Sequence, residues 1–239
     1  MIKVFNFAPA WGLPSPSPFG LKLEAYLRMA EIPYECEYVQ RMTDSPKRTV
    51  PWIRDGDLVL ADSGFIIQHL KREHGDRLND GLAPAQLATA HAVRRMVEEN
   101  LARIIGYTRW LTDENWPATF EVGFGAMDEP WKSDISAKAR TKIREDMELH
   151  GIGRHTPDEV QHIGVLDVKA LEEMLGDKKY LIDDRAREVD ASVFGILVQY
   201  IVPPLECAIS DYARSSSTLT GYCENILQRF FPEFGEPDT

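Results

Sequence analysis

The chain has 239 residues, 44% of them hydrophobic, so it can bury a sizeable core and sits where two domains fit better than one. A formal charge of −11, with no basic cluster, excludes the phosphate-neutralising surface that nucleic-acid binding requires. Cys36, Cys207 and Cys223 are odd in number, widely spaced and without a C-x-x-C pair, which argues against a disulfide framework or zinc ribbon and for a reducing, cytoplasmic setting.

Residues 1–7 read as a strand rather than a secretory signal, because they lack a long apolar stretch and a small-residue cleavage site. Residues 8–18 carry too many prolines for a helix or a central strand and are expected to form a loop. Ser17-Pro18 has the form of an N-cap followed by proline at the first helical position, and the helix it opens takes its apolar faces from Phe19, Leu21, Leu23, Tyr26, Leu27 and Met29. Residues 35–39 form a second strand. Val50-Pro51-Trp52-Ile53-Arg54 is a third, with proline at its start, where a missing N–H does least harm and a cis bond is tolerated. A cis bond there exposes the backbone of Val50. Asp55-Gly56 has the composition of a type I′ turn, residues 57–60 return as a fourth strand, and Ser63 is expected to cap a helix running through Phe65, Ile66, Ile67 and Leu70.

An extended peptide laid along the free edge at Val50 gains paired main-chain hydrogen bonds. Its carboxylate reaches the start of the helix after Asp62, where the first N–H groups, the dipole and the Ser63 hydroxyl all favour negative charge. Asp62 beside it suits an ammonium group. A ligand with a peptide middle and an amino-acid head fits, and glutathione is such a molecule.

The order Val50-Pro51, hairpin, Asp62-Ser63 resembles the glutathione transferases. That resemblance implies a thioredoxin-like α/β domain over residues 1–78, glutathione as co-substrate, and a site in which Val50 and Pro51 hold the cysteinyl part while Asp62 and Ser63 hold the γ-glutamyl end. It also implies that Ser17 points its hydroxyl at the glutathione sulfur, with Ser15 as the neighbouring competitor. A hydroxyl donated to sulfur, near a helix start, favours thiolate over thiol. Ser17-Pro18-Phe19 is similar to the Cys-Pro-Phe of omega-class members with Ser for Cys, which disfavours mixed-disulfide chemistry. Many transferases carry lysine immediately before Val-Pro; here Thr49 stands there, and Lys47 or Arg48 is the candidate for the glycyl carboxylate.

Beyond Gly81 and Pro84, residues from Leu87 to Ile105 recur at helical spacing and open an all-α domain over residues 85–232. Tyr107, Trp110, Trp116, Phe120, Phe124 and Trp131 read mostly as core, with Tyr107 or Trp110, together with Trp11, as the wall of a second-substrate pocket. His150, His155 and His162 with Asp158 and Glu159 fit no tight ligand spacing, so no metal is expected. Residues 193–205 are apolar but broken by Gln199 and Pro203-Pro204 and too short to span a bilayer, so no membrane anchor is expected. Residues 233–239 read as a polar tail that frays.

Gly151-Ile152-Gly153-Arg154-His155, Asp167-Val168-Lys169, Gly176-Asp177-Lys178 and Asp190-Ala191-Ser192 resemble the carboxy-terminal domain of the failed axon connections and metaxin-like branch. That branch has Ser/Thr-x-x-Asp before the helix of Val193; here Arg187 replaces the hydroxyl residue and Asp190 is kept. The leading expectation is a homodimeric glutathione transferase acting on a small apolar electrophile. The rivals are a non-catalytic, transferase-fold interaction protein of metaxin-like type and a glutathione-dependent thiol or peroxide reductase using Cys36.

Overall fold

The computed structural model describes residues 1–40 and 42–234. Strands β1 (Ile2–Asn6), β2 (Tyr34–Tyr38), β3 (Trp52–Asp55) and β4 (Leu58–Ala61) form one sheet in the order β2-β1-β3-β4. β1 and β2 are parallel, as the helical crossover α1 (Pro18–Met29) between them requires, and the other pairs are antiparallel. Helix α2 (Ser63–His74) completes this thioredoxin-like unit. Alternation sends Val4 and Ile53 into the main core, while Phe5, Trp52 and Ala61 form a smaller cluster on the other face, with the Phe5 and Trp52 rings stacked at 4.9 Å.

The hairpin is shifted by one residue from the sequence expectation. Asp55 pairs with Leu58, so Gly56-Asp57 is the loop. Gly56 has φ +57° and Asp57 does not share the left-handed region, which is the pattern of a type II′ turn rather than type I′. Asp55 stays in the strand, with Oδ2 2.9 Å from His69 Nε2 on α2.

The second half is helical: α3 (Pro84–Arg95), a π-helical segment (Met96–Leu101), α4 (Ala102–Leu111), α5 (Trp116–Phe124), α6 (Trp131–His150), α7 (Pro157–Leu175), α8 (Glu188–Ile201), α9 (Ala208–Ser215) and α10 (Ser217–Phe230). Residues 189–200 of α8 are all buried, as a helix with apolar residues around most of its circumference must be. α8 packs directly on α1 through Gly195, where a Cβ would lie 2.8 Å from both Lys22 N and Pro18 O. Those neighbours are backbone and cannot swing aside. Gly195→Ala is therefore expected to cost about 1–3 kcal/mol in urea unfolding by pushing the two helices apart.

Asp190 accepts hydrogen bonds from Leu181 N and Arg187 N at 2.8 Å each and from the Tyr222 hydroxyl at 3.0 Å. Arg187, in place of the hydroxyl residue of the branch, donates its guanidinium to Leu78 O at 3.1 Å and Asp80 O at 2.8 Å. The lost cap is thus exchanged for a tie to the connection between the two halves.

Trp131 departs from the aromatic core at 66% exposure. The start of the expected polar tail is docked rather than frayed: Pro232–Phe234 forms a 3₁₀ turn and Glu233 pairs with Arg28 at 2.6 Å. The remainder, residues 235–239, lies outside the described residues. Among the described residues no helix is long and apolar enough to cross a membrane, and no group of three or more His, Cys, Asp or Glu is placed to hold a metal.

Candidate functional site

Sheet register brings three separated segments to one end. Phe5 lies opposite Trp52, and Trp52 opposite Ala61. The end of β1, the start of β3 and the end of β4 therefore coincide, and with them the loop carrying Ser17, the Val50-Pro51 pair and Asp62-Ser63. Both α1 and α2 begin here, so two helix starts contribute positive potential.

Ser17 is held by a chain of hydrogen bonds. Asn6, buried at the end of β1, donates Nδ2 to Glu24 Oε1 at 2.7 Å and accepts Ser15 Oγ at 3.0 Å. Ser15 Oγ accepts Ser17 N at 3.1 Å, and Ser17 Oγ accepts Gly20 N at 3.1 Å. Ser17 is thus the N-cap of α1, and its own hydroxyl proton has no acceptor among the described residues. Ser15 is fully buried and its proton is committed to Asn6. Only Gly fits at position 20, since a Cβ there would lie 2.1 Å from Asn6 Oδ1.

The helical half grips the same loop. Arg109 Nη1 donates to Pro16 O at 2.8 Å, its Nη2 to Gln199 Oε1 at 2.7 Å, and Gln199 Nε2 to Ser15 O at 3.0 Å. Arg109 is buried, and among the described residues it has no carboxylate partner and its Nε is unpaired. Burial pulls its pKa down to about 10, which still leaves a cation at neutral pH beside the Ser17 loop. Its guanidinium carbon lies 4.7 Å from the Trp11 ring centre. Asn6, Arg109 and Gln199 were not among the residues expected from sequence. The available signal was a polar side chain on an apolar helical face, at Arg109 and at Gln199.

The Val50-Pro51 bond is cis, and the backbone of Val50 makes no ladder or turn hydrogen bond among the described residues. The cap of α2 is Asp62, not Ser63. Asp62 Oδ1 accepts Gly64 N at 2.9 Å and Phe65 N at 3.3 Å, because a carboxylate one residue upstream reaches both amides. Ser63 becomes the first residue of the helix, buried, with its hydroxyl and N–H unclaimed among the described residues. Asp62 adopts φ 83° and ψ 115°, an unfavourable backbone for a residue with a Cβ, of the kind that clusters at ligand clamps. Lys47 Nζ stands 3.6 Å from Asp62 Oδ2 and 4.4 Å from the Phe65 ring centre, whereas Arg48 is exposed and makes no ion pair among the described residues.

The second-substrate expectation divides. Trp11 lines a pocket of about 10 Å³, room for about one water, together with Arg109, Asn115, Thr119, Pro203 and Leu205. Trp110 does not line it. Its ring packs into the α4–α5 corner, 5.6 Å from Trp116 and 6.0 Å from Phe124. Successive helical residues are about 100° apart, so the turn that aims Arg109 at the loop aims Trp110 aside and Tyr107 away. Tyr107 is half-buried against the main core. Cys36 sits on the edge strand β2, and burial with the nearby Glu24 carboxylate pushes its thiol up to about 12, so it is a poor nucleophile.

Comparison with known proteins agrees with this class of fold. Residues 18–115 match the glutathione S-transferase N-terminal domain and residues 164–226 the glutathione S-transferase C-terminal domain. The chain is 32% identical to an isoprene-epoxide glutathione S-transferase of Rhodococcus sp. (strain AD45), over 96% of this chain and 99% of that protein. The chain therefore belongs to the glutathione S-transferase family. It is also 27% identical to Failed axon connections of Drosophila melanogaster, over 99% of this chain and 59% of that protein, and to human metaxin-2, over 93% and 85%. Among solved structures it superposes on a beta-etherase of Sphingobium sp. strain SYK-6 with a TM-score of 0.70 at 20% identity, covering 98% of each chain. A second match, with a TM-score of 0.63 at 17% identity, is a glutathione S-transferase of Ceriporiopsis subvermispora in complex with glutathione, covering 100% of this chain and 99% of that one.

Proposed function

We propose that this chain is an enzyme that binds glutathione at the shared end of its sheet and activates the thiol for attack on a small apolar electrophile. The observation that carries this reading is the Ser17 hydroxyl, fixed at a helix start on the same sheet end as the Val50 backbone and the donors of Ser63, with the Ser17 proton, the Val50 backbone and the Ser63 donors all without a partner among the described residues. Val50 pairs the cysteinyl backbone, Pro51 shapes that edge, Ser63 takes the γ-glutamyl carboxylate, and Lys47 or Arg48 faces the glycyl carboxylate. Ser17 donates to sulfur. Thiolate is favoured because the donated proton and two helix starts stabilise negative charge. Likeness to an isoprene-epoxide glutathione S-transferase supports an epoxide as electrophile. The C–S bond forms as one ring C–O bond breaks, and the freed oxygen takes its proton from water. A homodimer in the cytoplasm belongs to the same proposal, and the three unpaired cysteines suit a reducing compartment.

One rival, an interaction protein without turnover, rests on the likeness to the relatives named Failed axon connections and metaxin-2. The reductase reading is disfavoured by Ser17 and by the suppressed Cys36 thiol. Retention on immobilised glutathione, followed by glutathione-dependent consumption of an apolar epoxide, is the expected result; retention without consumption favours the interaction protein. Ser63→Ala should raise the glutathione Kd about 10-fold in calorimetry with kcat changed less than about three-fold, because it removes a hydrogen bond made equally in ground and transition states.

A further inference from the structure

The hydrogen bonds that lead to Ser17 have a polarity that can be followed from α1 and β2. Arg28 Nε, which can only donate, lies 2.9 Å from the Tyr34 hydroxyl, so the Tyr34 proton turns to Glu24 Oε2 at 3.0 Å. Glu24 Oε1 receives Asn6 Nδ2 at 2.7 Å. Phe7 N donates to the other end of the same amide, Asn6 Oδ1, at 2.9 Å. With a carboxylate on one side and an N–H on the other, the Asn6 amide has a single orientation. Its Oδ1 can only accept, so the Ser15 proton points at Asn6 and a Ser15 lone pair is left facing Ser17 N at 3.1 Å. Asparagine is a poor strand former, yet it ends β1 in a fully buried place, with Ser15 and Glu24 buried beside it. A buried polar chain of this kind, when fully satisfied, specifies one arrangement. The proton left over at its end, among the described residues, is that of the Ser17 hydroxyl.

We infer that Asn6 is a positioning residue for the thiol chemistry: acting through Ser15, it fixes the backbone of Ser17 and so the direction in which the Ser17 hydroxyl donates. This rests on the glutathione reading above. Asn6 makes no hydrogen bond to Ser17 itself among the described residues, so its influence passes through the Ser15 hydroxyl. Gln199 Nε2 holds the Ser15 carbonyl at 3.0 Å, so Ser15 is gripped at its main chain by α8 and at its side chain by β1. A hydroxyl aimed in advance needs little reordering as thiolate charge forms, whereas a misplacement of about 1 Å loses most of such a bond's effect.

The test reads the ultraviolet absorbance of thiolate in glutathione bound to the full-length protein at about pH 7. Calorimetry at about pH 5, where the bound thiol is protonated throughout, gives the Kd. Asn6→Leu and Ser15→Ala are each expected to lower the bound thiolate-to-thiol ratio about 10-fold and to leave that Kd within about three-fold. The double variant should lose the same 10-fold or so, because the two side chains act in one line. A loss equal to the product of the single losses, about 100-fold, would make Asn6 independent of Ser15 and overturn the inference. An unchanged ratio in Ser15→Ala, or in a folded Asn6→Leu that merely unfolds at lower urea, overturns it as well. Ser15→Ala removes one oxygen and carries the test where Asn6→Leu does not fold. A loss in Ser17→Ala beside unchanged Asn6→Leu and Ser15→Ala sinks the role of Asn6 and leaves the glutathione reading standing. Absence of glutathione uptake by the unsubstituted protein sinks both.

Discussion

Ser17→Ala is expected to lower kcat for conjugation about 10²-fold while leaving the glutathione Kd within about three-fold, because the lost bond is one aimed at developing thiolate charge. Ser17 also caps α1, accepting Gly20 N, so the same change costs about 1 kcal/mol of stability. The two roles separate with Ser17→Asp. Aspartate caps a helix as well as serine does, but it sets a negative charge against the sulfur. Denaturant unfolding of Ser17→Asp should match the unsubstituted protein within about 0.5 kcal/mol, while turnover falls below that of Ser17→Ala. Full activity in either variant would leave Ser17 as a cap and nothing more.

Asp190→Ala should be the most destabilising single change, about 3–5 kcal/mol, since it strips the partner from Leu181 N, Arg187 N and the Tyr222 hydroxyl at once in a fully buried place. Burial raises the Asp190 pKa to about 6 even though three donors pull the other way. The sign follows from linkage. A carboxyl whose folded pKa exceeds its unfolded value binds more protons folded than unfolded between about pH 4 and 6, so its contribution falls as pH rises through that window. Asp190→Asn cannot ionise, and the unfolding free energy of the unsubstituted protein should drop relative to it by about 2 kcal/mol between pH 4 and 6. A constant difference across that range would place the Asp190 pKa at its ordinary value.

Local chemistry made much of this legible in the sequence. Ser17-Pro18 reads as a helix start, and the structure has Ser17 at the cap and Pro18 at the first helical position. Val50-Pro51 reads as a cis start to a strand, and the bond is cis. Close competitors caused the misses. Asp62 and Ser63 are both strong capping residues, and only the backbone of Asp62, at φ 83°, decides that its carboxylate reaches the helix amides. Gly56 suits either turn type, and pairing of Asp55 with Leu58 settles the register. Arg109 and Gln199 were out of reach for a different reason. Their partners at Pro16 and Ser15 lie 93 and 184 residues away, and no periodicity within a helix encodes a contact made across the two halves. Tyr107 and Trp110 were aromatic and in the right helix, but helical phase turns them from the face that meets the loop.

The account stands on the ionisation of the bound thiol. Ultraviolet absorbance of the thiolate, followed against pH in the glutathione complex, is expected to give an apparent pKa about two units below the free cysteine value of about 8.5, and Ser17→Ala should return most of that shift. A bound thiol that titrates at its free value, or a folded protein that takes up no glutathione, would contradict the account.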